Sequence, residues 1–276
     1  MMVKTKKINM PITIKSSEPL SKMQLTLLNA EKLHLKGQIK EAWTLYQEVL
    51  QAEPSHYAAL HGMGLIAAQL KKYPLAVKLF NQAIEVDHLN PRAYSNLANV
   101  LASEGKKELA IEKYDKALSL DPNYVDALKN RGIVRAELRQ YEGALTDFAK
   151  VLDLQPSYWR AHIYIANVLI SKGKPVKALH EYDLALAANP NSAALCNNLG
   201  AILCSMGRFK PALLKLDRAI KINPKYAEAF NNKAVALIGL HREEEALESY
   251  NQAIGLKPGY EDALRGKNKL QASLRH

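Results

Sequence analysis

Residues 91–124 read PRAYSNLANVLASEGKKELAIEKYDKALSLDPNY, and residues 125–158 read VDALKNRGIVRAELRQYEGALTDFAKVLDLQPSY. Laid over one another without a gap, the two stretches place Ala98 on Gly132, Ala110 on Ala144, Tyr114 on Phe148 and Pro122 on Pro156. The same step runs on in both directions. Pro54, Pro122, Pro156, Pro190, Pro224 and Pro258 are separated by 34 residues or a multiple of it, and the one gap in the series falls on His88. Counting each unit from three residues after the previous proline gives 23–56, 57–90, 91–124, 125–158, 159–192, 193–226 and 227–260, seven repeats without insertions.

Repeat position 20 is Ala in all seven units, from Ala42 to Ala246. Position 8 is always small: Ala30, Gly64, Ala98, Gly132, Ala166, Gly200 and Ala234. Position 24 is bulky: Tyr46, Phe80, Tyr114, Phe148, Tyr182, Leu216 and Tyr250. Position 28 is Leu or Ile, from Leu50 to Ile254. Positions 4, 7, 8 and 11 follow the i, i+3, i+4, i+7 spacing of one helix face, and positions 20, 24, 27 and 28 do so for a second helix. Small residues at 8 and 20 let the two helices approach, and the large residue at 24 fills the space beside them. Lys36-Gly37-Gln38, Glu104-Gly105-Lys106 and Lys172-Gly173-Lys174 read as the turns between them. The proline near each unit's end stops the second helix, while Pro74, Pro175 and Pro211 fall near the starts of second helices, where proline is tolerated.

These positions resemble the tetratricopeptide repeat (TPR) family, whose 34-residue pattern ends in that proline. The resemblance covers residues 23–260 and implies an all-α fold, a right-handed superhelix or α-solenoid of seven helix-turn-helix repeats. One unit cannot bury both its faces, so neighbours must stack and the ends must differ from the middle. Repeat 1 carries Thr26 and Asn29 where larger apolar residues are usual. Residues 261–276 read as a capping helix with Ala263, Leu264, Leu270 and Leu274 apolar and Lys267, Asn268 and Lys269 polar where another unit would need a core. Residues 1–22 read as a basic tail, and residues 1–20, with Pro11 and Pro19 and few periodic apolar residues, as disordered.

The formal net charge of the 276-residue chain is +11. Five Lys against one Glu put +4 in residues 1–22, and four basic against two acidic residues put +2 in 261–276, leaving +5 for the body. A nucleic-acid groove wants a continuous basic stripe interleaved with aromatics, which a mildly basic body does not supply. No apolar run reaches the ~18 residues of a membrane span, and no signal-peptide core follows Lys4, Lys6 and Lys7. Cys196 and Cys204, eight apart in one helix, fit neither a disulfide staple nor a zinc or redox motif, and a cytoplasmic location is the expectation. The eight histidines show no metal-ligand spacing, and glycines sit at repeat turns rather than in a phosphate loop. No catalytic residue, cofactor or metal site is therefore expected. Trp43, next to Ala42, reads as core; Trp159, after Tyr158, either packs at a repeat junction or stands as an exposed anchor. Cys204 reads as a small buried residue rather than a reactive thiol.

The family resemblance implies a concave surface lined by first helices, with partners bound there as peptides or helices and positions 2, 5, 6, 9 and 12 facing inwards. Asn96, Asn130, Asn198 and Asn232 at position 6, with Asn99 and Asn167 at position 9, put six amides on that surface. An amide both donates and accepts, so it can pair with a peptide backbone whatever the side chains. Helix spacing and peptide rise would bring successive amides to about every third to sixth peptide residue. Segments such as Ala93–Asn99 resemble the asparagine ladder in the repeat region of O-linked N-acetylglucosamine transferases. Two readings of these amides stand, a peptide-binding ladder and bonds to neighbouring helices. The carboxylate clamp of co-chaperone repeats is a second resemblance: Asn99, Asn130 and Arg160 match it, while Ser95 and Tyr164 replace two basic residues. Arg92 and Lys129 add positive charge nearby, which suits an acidic peptide.

The expected function is a non-catalytic interaction scaffold or adaptor that holds a segment of a partner protein in the groove. The alternatives are the substrate-docking part of a glycosyltransferase-like system, since such transferases place similar repeats before a catalytic domain, and a scaffold that self-associates.

Overall fold

The computed structural model describes residues 21–274, so the disorder expected for residues 1–20 lies outside it. Fifteen helices run through the described residues, with no strand among them. In chain order they are α1 (Lys22–Leu35), α2 (Ile39–Ala52), α3 (Tyr57–Gln69), α4 (Tyr73–Val86), α5 (Pro91–Ser103), α6 (Lys107–Leu120), α7 (Val125–Glu137) and α8 (Tyr141–Leu154). They continue as α9 (Arg160–Ser171), α10 (Pro175–Ala188), α11 (Ala193–Ser205), α12 (Phe209–Ile222), α13 (Ala227–Ile238), α14 (Glu243–Leu256) and α15 (Glu261–Ser273). Ser21 opens α1 through a capping box with Gln24, each side chain serving the other's backbone N–H, so the helix starts at Lys22, one residue before the first repeat's expected beginning.

Every first helix closes on a residue of positive φ at repeat position 15. Glycine fills it at Gly37, Gly105, Gly173 and Gly207, whereas Lys71, Arg139 and His241 hold the same conformation at φ 56°, 59° and 54°. The next amide then reaches back to the carbonyl five residues earlier, as Gln38 N does to Leu33 O and Lys72 N to Ala67 O. The turn is thus built by backbone hydrogen bonding, and the three side chains that tolerate it cost about 1 kcal/mol or more each against glycine.

The described residues form two compact units, one to Asn96 and one from Leu97, the boundary falling inside α5. In the first unit α1 packs on α2, α2 on α3, and α3 on α4. In the second the same chain-order packing runs from α6 to α15. First helices also meet each other, α1 with α3 in one unit, α7 with α9 and α11 with α13 in the other. A first helix is therefore buried on two flanks. The expected positions 4, 7, 8 and 11 are only part of its covered face: position 3 (Ala59, Ala93, Ala127, Ala161, Leu195, Ala229) and position 10 (Ile66, Val100, Val134, Val168, Ile202, Ala236) are buried as well.

All seven position-20 alanines are fully buried, as are the position-8 residues beneath the bulky position 24. The two positions are matched. Where position 24 is Tyr, position 8 is Ala; where it is Phe or Leu, position 8 is Gly. A Cβ on Gly64 would lie 2.7 Å from the Phe80 ring, one on Gly132 2.7 Å from Phe148, and one on Gly200 2.5 Å from Leu216. The tyrosine rings lean instead over position 6 of the following unit: a Cβ on Gly62 would lie 2.4 Å from Tyr46, and one on Gly266 2.5 Å from the Tyr250 hydroxyl. That lean leaves room for the alanine methyl at position 8.

Three readings are corrected, that of Trp43 as core, that of positions 7 and 11 as apolar and that of position 5 as facing inwards, and the capping helix is placed. Trp43 is half-buried and lines an open cleft of about 380 Å³ rather than the core, because α2 turns position 21 toward the groove beside α3. On α15, Ala263 and Leu270 are buried against the Tyr250 cluster, but Leu264 and Leu274 are exposed, since no further helix among the described residues covers that side. Positions 7 and 11 of the fourth repeat hold Arg131 and Arg135 instead of apolar residues. Arg131 donates to both oxygens of Asp147 (3.0 and 2.5 Å) and to Asp115 (2.6 Å), and Arg135 donates to Asp147 at 2.9 Å. Lastly, position 5 carries polar side chains into the packing, as His61 and Asn197 show below.

Candidate amide-lined interaction face

The position-9 amides are held from below by the position-24 tyrosines of the same repeats. The Tyr114 hydroxyl donates to Asn99 Oδ1 at 2.5 Å, and the Tyr182 hydroxyl donates to Asn167 Oδ1 at 2.5 Å. Burial pushes both phenols up in pKa, Tyr182 despite a hydrogen bond with Asn198, so each remains a protonated donor. Asn130, at position 6 of α7, donates a second hydrogen bond to Asn99 Oδ1 at 2.9 Å. With Oδ1 occupied, the amide's orientation is fixed, and the Asn167 Nδ2, which makes no hydrogen bond among the described residues, is a donor presented at the surface.

Two adjoining clefts lie along these residues. One, of about 310 Å³, is lined by Asn99, Tyr114 and Asn130 together with Ile133 and Glu137. The other, of about 380 Å³, has an apolar floor of Ile133, Phe148, Tyr164 and Val168, with Asn167 and Glu137 at its edge. Phe148 and Tyr164 stack with ring centres 5.2 Å apart, and Ile133 and Glu137 are common to both clefts. The repeat pattern produces this floor directly: the Gly132–Phe148 pairing keeps the Phe148 ring low, and Tyr164, standing at position 6 where other units carry Asn, lies against it.

The other expected residues are placed differently. In the first unit, Asn96 donates to His61 Nε2 at 2.8 Å, and Arg92 is exposed at the start of α5. Burial first, and the nearby Arg92 charge second, lower the His61 pKa to about 4, so its ring is neutral and accepts. In the second unit, Asn198 and Asn232 meet through Asn197: Asn232 donates to Asn197 Oδ1 at 2.9 Å, and Asn197 Nδ2 lies 3.5 Å from Asn198 Oδ1. Asn197 itself is buried. Lys129 pairs with Asp126 at 2.7 Å, a partner one turn away on the same helix. The Arg160 guanidinium lies 4.7 Å above the Trp159 ring, which in turn packs against the Leu195–Leu199 cluster. The structure thus brings Asn99, Asn130 and Asn167 to one pair of clefts, and sets Asn198 and Asn232 into a polar contact of their own.

The tyrosines were hidden in the sequence because position 24 is a core position throughout. The usable signal was coincidence: Asn at position 9 occurs in the third and fifth repeats, and both have Tyr at position 24. Asn197 and the buried Asp147 carried no such mark. Elsewhere the chemistry is quiet. Burial raises the Cys204 thiol to about 11, with its sulfur 4.0 Å from the Asn232 carbonyl, so the thiolate is disfavoured. Among the described residues no group of three or more His, Cys, Asp or Glu side chains could hold a metal ion, and no helix is long and apolar enough to cross a membrane.

Sequence profiles described as tetratricopeptide repeat match residues 91–124, 129–193 and 215–248, and one described as TPR repeat matches 64–105. No curated protein matches the chain. Among solved structures, the TPR protein YrrB is 30% identical, with 68% of this chain and 97% of that one covered and a TM-score of 0.57. MamA is 22% identical over 60% of this chain and 91% of its own, with a TM-score of 0.55. A tetratricopeptide repeat protein from Parabacteroides merdae is 19% identical over 90% and 98%, with a TM-score of 0.65, and these last two speak for the fold alone. Repeat spacing, helix pairing and these likenesses together make the chain a member of the tetratricopeptide repeat family.

Proposed function

We propose that the chain is a non-catalytic interaction scaffold whose second unit binds an extended segment of a partner protein along the C-terminal half of α5 and the first helices α7 and α9. The observation that carries this reading is the pair of adjoining clefts in which oriented amides, Asn99 and Asn167, stand beside an apolar floor of Ile133, Phe148 and Tyr164. Such a surface offers what a peptide needs: in Asn167 a donor held in one orientation for a carbonyl, and a concave apolar site for one side chain. Pre-orientation by Tyr114 and Tyr182 lowers the ordering cost on binding. YrrB, the 30% identical relative, is described as having an unusual peptide-binding site, which supports a peptide as the class of ligand here. Within the second unit Asn130 joins the same face through its hydrogen bond to Asn99, and the Lys129 and Arg160 cations on α7 and α9 favour a segment with acidic residues.

Selection of a displayed random-peptide library on the full chain tests this. At least one class of the peptides that emerge should bind an Asn167→Ala, Tyr164→Ala variant about tenfold or more weakly, with helical circular dichroism unchanged. A selection in which every peptide binds the variant as well as the parent would place recognition elsewhere and overturn the reading.

A further inference from the structure

We infer that the first unit carries a second, separate docking surface, a lysine-rimmed apolar cleft between α2 and α3 that takes an acidic peptide through one large apolar side chain. The cleft, of about 380 Å³, has Trp43, Ile39, Ile66 and Leu70 as its apolar lining, with Lys40 and Lys72 at its edges. Lys40, Trp43 and Thr44 stand at i, i+3 and i+4 on α2 and so share one helix face. Lys72 is the residue that caps α4, just after the turn that ends α3. A hydrogen bond between His34 and Gln69, 3.3 Å, holds the ends of α1 and α3 together beside it, and there Leu35 is 90% and Leu70 49% exposed. Exposed apolar surface rimmed by charge is the usual mark of an interaction site, and the volume suits a single aromatic or aliphatic anchor.

Comparison with three of the later grooves shows what is missing here. The residue equivalent to Leu70 in the third repeat is Glu104, which pairs with Lys106, the equivalent of Lys72, at 3.1 Å. Between the fourth and fifth repeats the equivalent of Lys40 is Glu142, which pairs with Lys172. In the seventh repeat the cation at this place, Arg242, is held by Glu245 at 2.6 Å. Each of those grooves has a carboxylate of the chain set against its cation. In the first unit Lys40 and Lys72 line the groove, and neither makes an ion pair among the described residues. The partner that completes the pattern supplies the carboxylates itself, on both sides of an apolar residue that enters beside Trp43. A recessed floor favours a side chain inserted from a peptide over a flat membrane surface, which a protruding apolar patch would serve better.

The test uses the full chain carrying Trp159→Phe, so that Trp43 is the only tryptophan. A heptapeptide with one phenylalanine flanked on both sides by acidic residues is titrated in low salt, beside versions with that phenylalanine replaced by alanine or the acids replaced by their amides. The expected result is a saturable change in Trp43 emission, weakened about tenfold or more by Lys40→Glu with Lys72→Glu, by either peptide change, and by added salt. The Asn167→Ala, Tyr164→Ala variant should bind as the parent does, which separates this surface from the one proposed above. Circular dichroism establishes that the lysine variant, whose substitutions are at the cleft edge, is folded. No saturable change, or one that the lysine variant retains in full, overturns the inference. So does co-sedimentation with phosphatidylserine vesicles, lost on Lys40→Glu with Lys72→Glu, when the peptide does not bind: the surface would then be one for acidic lipid.

Discussion

The Tyr182 hydroxyl donates to Asn167 Oδ1 at 2.5 Å, joining the second helix of the fifth repeat to the exposed amide on its first helix. A core tyrosine thereby decides which end of a surface amide faces outward. Tyr182→Phe keeps the ring packing and removes the hydroxyl, with its bonds to Asn167 and Asn198. The expected cost is about 0.5–1.5 kcal/mol in urea unfolding, since the ring environment is otherwise retained. Affinity for peptides selected on the α5–α9 face should fall by about threefold or more. Lower stability with affinity unchanged would make the contact purely structural.

Gly132 shows how tightly the repeat is closed. A methyl added there meets the Phe148 ring at 2.7 Å, and that ring is itself buried and stacked on Tyr164. Helix propensity alone would make Gly132→Ala stabilising by about 1 kcal/mol. Overpacking against a ring that cannot retreat costs roughly 1–3 kcal/mol and should win. The variant's melting temperature should drop, and the apolar floor of the second cleft should be disturbed with it. A higher melting temperature would mean that Phe148 has somewhere to go.

The repeat period, the helix pairs and the small and bulky positions were all legible because they recur, and recurrence separates a packing demand from chance. Position 15 was legible only where it is glycine, at Gly37, Gly105, Gly173 and Gly207; Lys71, Arg139 and His241 adopt the same left-handed turn without advertising it. The candidate amides were legible as residue types. Their partners were not, because Tyr114 and Tyr182 look like core and Asn197 is a polar residue whose burial depends on Tyr226 at the end of its own repeat and Asn232 arriving from the next. The two arginines of the fourth repeat fell on positions read as apolar, and only the fold shows the buried carboxylate that holds them there.

Asp147 is that carboxylate, its side chain 2% exposed between Arg131 and Arg135. Burial works against the Arg131 charge, but hydrogen bonds and charges from Asp147 and Asp115 outweigh it and hold the guanidinium above its ordinary pKa. Asp147→Ala leaves Arg131 and Arg135 with only the half-exposed Asp115 for a partner and should cost about 3 kcal/mol, read as a fall in the urea midpoint. Asp115→Ala removes a half-exposed partner and should cost about 1 kcal/mol or less. Equal effects from the two substitutions would contradict this placement of the charge.

His61 gives the first unit a pH dependence of known sign. Its ring stacks on Tyr57 with centres 5.5 Å apart, meets Phe80 edge-on at 5.7 Å, and accepts from Asn96 through Nε2. Protonation would turn that acceptor into a donor facing a donor. With the folded pKa lowered to about 4 from an unfolded value near 6.5, the unfolded chain binds the proton first as the pH falls. The stability involved is therefore complete above pH ~6.5 and is lost progressively toward pH ~4, reaching about 2 kcal/mol by pH 5. Hydrogen exchange of the α3 and α4 amides at pH 7.5 and 5.0, corrected for intrinsic rates, measures it. The parent should lose about 2 kcal/mol of protection over that interval beyond what a His61→Gln variant loses. Identical losses in parent and variant would mean that the His61 ring is more open to water than its neighbours imply.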